Sequence, residues 1–378
     1  MNANNTAINA RQLAFFAAFL LPLGKLLELP SLLTSLSGGD LLIAALIGLM
    51  MESLSFLLLF LFCKRTGSTP FKYFENTCGS TASRIFQGLY ALFLLLYATL
   101  PLFDLEKFSH AAFSDTSPTF FVFTPFFILS GFIITKGIKG MGRAADLSPI
   151  LCLLPLLGLL GMSVGQADFS RLLPVMEKSP IVSFKAVWKT SAYFSSGGLL
   201  LPLMQGYKYE DGDEKKLFPA FAVGVFFTLL FLAVFFAVFG VLGGTEHFAV
   251  MKIAQFFPPL KFIGRIDLLL VYALSIGLFY YTSAPLLLCA DCANHALDLK
   301  SKLPLAVFLS AGWYFCVLFG NKHLTEIHAF FSSWLAPVFL FFSVLLPLLF
   351  FLSTHFKPKR KHSQQPPIKS KKEKRYEK

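Results

Sequence analysis

Charge is scarce in this chain. Of 378 residues, 21 are Asp or Glu and 33 are Lys or Arg, so 14% are charged against 55% hydrophobic. A water-soluble domain cannot cover its surface with so little charge, and a mean hydropathy of +0.66 excludes that class. Tryptophan and tyrosine are also few, 3 and 11 against 46 Phe. That excludes a rich interfacial belt or an aromatic cage and leaves phenylalanine as lipid-facing or interhelical filling. The cysteines, Cys63, Cys78, Cys152, Cys289, Cys292 and Cys316, are scattered in or beside apolar runs, which argues against a disulfide framework. Glycine-rich phosphate loops, H-E-x-x-H pairs and G-x-S-x-G elbows are missing, so no enzyme class has a positive feature and no catalytic residue, cofactor or metal is expected.

What is abundant is apolar length. A spanning helix needs about 20 mostly apolar residues, and the runs at 41–62 and 217–242 meet that length with almost no charge. The pattern predicts an all-α polytopic membrane protein with about ten transmembrane helices, at 12–36, 40–62, 84–104, 119–136, 147–166, 186–206, 217–242, 265–289, 303–320 and 330–353. Residues 1–11 then form a cytoplasmic N-terminus, followed by an uncleaved first span. A permease-like domain covers 12–353, with pseudo-repeats of about 12–166 and 186–353. Lys64, Arg65, Lys72 and Arg84, then Lys136, Lys139 and Arg143, then Lys208, Lys215 and Lys216, then Lys300 and Lys302 mark the loops expected inside, which places both termini in the cytoplasm. Two outer loops fit poorly, one with Arg171, Lys178 and Lys185 and the other with Lys252, Lys261 and Arg265. Residues 354–378 hold ten Lys or Arg against Glu373 and Glu377, +8 of the whole chain's +12. Such a segment is expected to be a disordered polybasic tail that meets anionic membrane lipids rather than nucleic acid.

The stretch FLLPLGKLLELP places Lys25 and Glu28 inside the first apolar run. One charge near a bilayer centre costs about 2.5–3.5 kcal/mol on insertion scales, so both need an offset. At i, i+3 they can pair on one helix face. Pro22, Gly24 and Pro30 bracket them, however, and predict an interrupted helix, which is tolerated at that depth only where it lines a protein-enclosed cavity. The sixth run repeats the pattern, with Tyr193, Ser195, Ser196, Gly197 and Gly198 shortly before Pro202. Paired breaks in two halves of opposite orientation predict a five-plus-five inverted repeat with discontinuous helices one and six around a midplane site. Freed N–H groups there suit a carboxylate and freed carbonyls an ammonium. A small-residue helix contact is the plainer reading of the SSGG stretch.

With these residues in hand, the chain resembles the spore germination permease family, the B-type subunits of nutrient germinant receptors, within the amino acid, polyamine and organocation superfamily. The resemblance runs from about residue 10 to 351 and rests on RQLAFFAAFLLPLGKLLELP, SPTFFVFTP, KGIKGMGRAADLSPIL, DFSRLLPVMEKSPIVSFKAVWKTSAYFSSGG and KFIGRIDLLLVYALSIGLFYY. It implies the five-plus-five fold, a buried site for a small germinant such as an amino acid, and residence in the spore inner membrane or cell membrane. It also implies A-type and C-type receptor subunits as partners. By matching positions, Gly24 and Pro30 fall at the first break and Ser195, Ser196, Gly197 and Gly198 at the sixth. Lys25 and Glu28 depart from the apolar filling the family implies there.

Helices three and eight flank such a site in this fold, which adds Tyr97, Ser275, Tyr280 and Tyr281 as flanking candidates. Asp104 and Glu106 read as interfacial acids, and Asp267 as a helix-start acid. The hydroxyls of Ser275, Thr282 and Ser283 are expected to bond to their own helix or to a neighbouring one rather than to a ligand. Cys289, Cys292 and His295 have zinc-like spacing, but with no fourth ligand nearby they read as helix packing. The alternative to a germinant receptor subunit is a proton- or sodium-coupled amino acid transporter acting alone, with Glu28 carrying the proton. A scaffold that binds no small molecule is the third class.

Overall fold

The computed structural model describes residues 8–113, 119–145, 148–174, 176–207, 209–210, 212–246, 248–256, 266–299, 301–320 and 323–355. Among these the backbone is helical nearly throughout, and the only extended pairing is an isolated bridge between Ile8 and Tyr207. The first apolar run forms α1 (Ala10–Phe15), a π turn (Phe16–Leu20) and α2 (Leu21–Leu23). Winding stops at Gly24 and resumes as α3 (Leu29–Ser37), with Pro30 in the first turn, where its missing donor is not needed. Gly38, at φ 62°, closes α3 and a 3-10 turn (Gly38–Asp40) leads into α4 (Leu41–Thr66). Left-handed Gly67 ends α4 by returning its N–H to the Cys63 carbonyl at 2.9 Å, and Lys64 and Arg65 sit at the negative end of the helix dipole.

Next come α5 (Pro70–Cys78), α6 (Ser80–Phe113), α7 (Thr119–Ala145) and α8 (Ser148–Val164). A second interruption at 190–195 separates α9 (Pro180–Lys189) from α10 (Ser196–Leu203). Then follow α11 (Glu214–Phe239), α12 (Ala249–Phe256), α13 (Ile266–Leu297), α14 (Leu303–Gly320) and α15 (Leu324–Ser333). The final run is α16 (Ala336–Leu340), a π turn (Phe341–Leu345) and α17 (Leu346–Ser353).

Among the described residues, six helical stretches are long and apolar enough to cross a bilayer: Leu29–Thr66, Ser80–Leu105, Glu214–Thr245, Val271–Leu297, Leu303–Gly320 and Ala336–Ser353. The first and sixth expected spans are cut into shorter pieces, so neither is a continuous rod. The expected N-terminal residues 1–7, the basic tail from 356 on, and the side chains of Glu106 and Asp267 lie outside the described residues.

Between apolar helices in lipid, close packing replaces the hydrophobic drive available in water. Phenylalanine supplies that packing. Phe56 stacks on Phe221 with ring centroids 4.5 Å apart, Phe74 on Phe86 at 4.7 Å and Phe93 on Phe342 at 4.4 Å. α13 lies along α6 and also touches α7 and α8, while α11 packs against α1 and α17 against α4.

Both broken runs are tied at their far ends. At one end of the molecule the Ile8 N–H donates to Gly206 O at 2.6 Å, and the Tyr207 hydroxyl donates to Asp213 Oδ2 at 2.5 Å. Burial and that bond push the Tyr207 phenol well above its usual range. Elsewhere Asp40, in the turn after α3, accepts the backbone N–H groups of Glu177 at 3.1 Å and Lys178 at 2.7 Å, just ahead of α9.

Candidate ligand site

The first break spans Gly24 to Glu28 and is almost wholly buried. Two tight turns shape it: Lys25 N–H returns to Pro22 O at 2.8 Å and Leu26 N–H to Leu23 O at 3.1 Å. The Leu27 carbonyl, freed by the interruption, accepts the Ala249 N–H at the start of α12 at 3.0 Å. Gly24 is required by proximity, because a Cβ there would lie 2.1 Å from the ring of Tyr281.

The second break sets the first turn of α10 against this segment. Lys25 reaches Glu52 of α4, Nζ to Oε1 2.9 Å, with the two side chains 2% and 3% exposed. Its ammonium also donates to Ser196 Oγ at 3.4 Å, and the Ser196 N–H donates to the same Glu52 oxygen at 3.3 Å. Ser196 opens α10, so its N–H has no partner within the helix and the helix dipole favours an anion there. The ion pair is thus held by hydrogen bonds on more than one side, which a buried pair needs to offset desolvation. A small pocket beside it is lined by Pro22, Lys25, Leu49, Glu52, Phe221 and Thr228.

Around the pair lies a layer of buried phenols and acids. Tyr97, Tyr193 and Tyr281 are 5%, 6% and 6% exposed, and Glu28 and Asp104 5% and 0%. The Tyr97 and Tyr281 hydroxyls interact with one another, while Tyr193 is electrostatically coupled to Asp104, Glu28 and Tyr281. The interfacial reading of Asp104 is therefore corrected: α6 carries it into the interior, in the neighbourhood of Tyr193 in the second break and of Tyr281.

The other expected residues have varied places. Ser195 sends its hydroxyl to the Ser191 carbonyl at 2.5 Å. Gly197 lies where a Cβ would meet Ser343 O at 2.6 Å and Ser55 Cβ at 2.8 Å, and Gly198 where one would meet the Phe93 ring at 2.6 Å. Both glycines serve close helix packing, and the Gly198 carbonyl accepts the Tyr90 hydroxyl at 2.6 Å. Pro30 is buried in α3. Ser275, Thr282 and Ser283 bond to carbonyls of their own helix, at Val271, Leu278 and Phe279. Tyr280 is half-buried beside Phe279, and Cys289 and Cys292 are buried on α13, with the Cys289 thiol 3.5 Å from Ala91 O. Glu52 was missed by the sequence reading. Its signal was available, since it is the single charged residue in the run 41–62, and an ionisable group at that depth demands a partner.

The fold defines the class: an all-helical integral membrane protein in which two interrupted helices meet at a buried ion pair. Residues 8–325 match the spore permease family, described as spore germination protein, and the chain belongs to that family. It is similar to spore germination protein KB of Bacillus subtilis (strain 168), with 27% identity over 354 residues that cover 88% of this chain and 91% of the relative.

Proposed function

We propose that the chain is the nutrient-binding membrane subunit of a spore germinant receptor, taking an amino acid between its two broken helices. Binding biases an equilibrium between conformations, and the shift passes to A-type and C-type subunits in the spore inner membrane. A ligand moves such an equilibrium only by its difference in affinity for the two states. The observation that carries this reading is the coincidence of the two interruptions with one buried polar cluster containing Lys25, Ser196, Tyr193 and Glu28. Membership in a spore germination family, and a relative named for spore germination, support the cellular role. The test is equilibrium binding of single amino acids to the purified chain, followed by germination of spores carrying Gly24→Leu. Saturable binding by at least one amino acid is expected, with loss of both binding and response in the variant. Spores of that variant that respond normally would sink the reading.

Burial of Glu28 at the first break favours one alternative, a coupled transporter. It predicts uptake of an amino acid into proteoliposomes holding this chain alone, abolished by Glu28→Gln. No uptake, together with germinant binding, leaves the receptor reading in place.

A further inference from the structure

The donor set at the start of α10 is the set a carboxylate ligand needs. It consists of an N–H at a helix N-terminus, a serine hydroxyl and a lysine ammonium, converging from both breaks. The carboxylate it holds is the chain's own. Glu52 belongs to α4, which contributes to neither break, and it enters on a side chain with three rotatable bonds beside the pocket lined by Leu49 and Thr228.

A second observation points to a ligand independently of this ring. The hydroxyls of Tyr193 and Ser343 are buried, their residues 6% and 1% exposed, and neither has a hydrogen-bond partner among the described residues. Buried hydroxyls are seldom left unpaired, because each forfeits its hydration. Tyr193 lies within the second break and is coupled to Glu28 and Asp104, while the Ser343 backbone closes on Gly197 in the first turn of α10. A zwitterion with its carboxylate at Ser196 and Lys25 would find the Tyr193 phenol, whose hydroxyl has no partner among the described residues, within the same buried layer.

We infer that Glu52 is an intramolecular competitor for the carboxylate position of the site. In the structure it occupies that position, and a ligand carboxylate binds by displacing it from Ser196 and Lys25. This inference rests on the amino acid reading only for the identity of the natural ligand. On displacement α4 loses its ion pair with Lys25 and the hydrogen bond from Ser196, one contact with each broken run.

Acetate is the direct probe. Thermal unfolding of the full chain in detergent should show a lowered midpoint for Glu52→Ala, restored by acetate but not by acetamide at matched ionic strength. The wild type should respond to neither, and Lys25→Met combined with Glu52→Ala should lose the rescue. An acetate shift absent from Glu52→Ala, or equal in the wild type, overturns the inference. Should Glu52→Ala fail to fold, Glu52→Gln keeps the shape and weakens the competitor, so L-alanine should bind it at least tenfold more tightly than wild type. Equal or weaker binding overturns the inference while sparing the amino acid reading. Acetate rescue without saturable binding of any single amino acid to any form sustains the inference and removes that reading.

Discussion

Lys25 and Glu52 stabilise one another in the protein interior, where either charge alone would be costly. Removing one partner of a buried pair costs about 3–5 kcal/mol, whereas replacing both with apolar groups is often neutral. Lys25→Met should therefore lower the unfolding midpoint sharply, and Lys25→Met with Glu52→Leu should recover most of it, as measured by thermal unfolding in detergent. The glycines offer a sharper contrast. Gly197→Val forces a side chain into Ser343 O, which is 2.6 Å from the new Cβ, and should reduce both yield and midpoint. Gly158→Ala meets no atom within 4 Å and should be neutral or stabilising by up to about 1 kcal/mol. Legibility at this scale followed chemistry. Lys25 and Glu28 drew attention because prolines and a glycine surround them, whereas Glu52 sits alone in a smooth apolar run and its partner is distant in sequence. Asp104 misled because its position near the end of an apolar run says nothing about which neighbours cover it.

The interrupted elements were readable in advance because Pro22, Gly24 and Pro30 act on the local backbone. The second interruption falls at 190–195, so of the SSGG stretch that announced it only Ser195 lies within it, while Ser196, Gly197 and Gly198 begin α10. What could not be read was the set of ties between elements, since they join residues far apart in sequence. Asp40 is one such tie. Losing its two bonds to backbone N–H groups in Asp40→Ala should cost about 2 kcal/mol, and faster hydrogen exchange at Glu177 and Lys178 would register it. Asp168 makes a local contact instead, capping the 3-10 turn Phe169–Leu172. The Ser170 hydroxyl and N–H, with Arg171 nearby, hold its carboxyl below the ordinary value of 3.8. A depressed carboxylate contributes stability above its unfolded value and loses it as pH falls through the folded one. Protection of the Ser170 amide, measured against its intrinsic exchange at each pH, should thus be unchanged from neutral pH down to about 5 and fall only under stronger acid, while in Asp168→Asn it should be low and independent of pH.

For the molecule as a whole, composition alone fixed the environment, because a chain so poor in charge has no soluble solution. Handedness of insertion and the number of crossings rest on weaker signals, the lysine and arginine bias and run length. α14 tests the environment directly, since Phe308 is 73% and Phe319 74% exposed on a stretch of spanning length. Phe308→Arg places a charge against lipid and should cost about 2.5–3.5 kcal/mol if it lies near mid-bilayer, seen as reduced recovery from the membrane fraction. A last consequence comes from the bridge between Ile8 and Tyr207, where the Ile8 N–H meets Gly206 O at 2.6 Å just beyond α10. Spectroscopic labels on either side of this seam would act as a strain gauge for α10, reporting its displacement on nutrient addition while leaving every buried charge untouched.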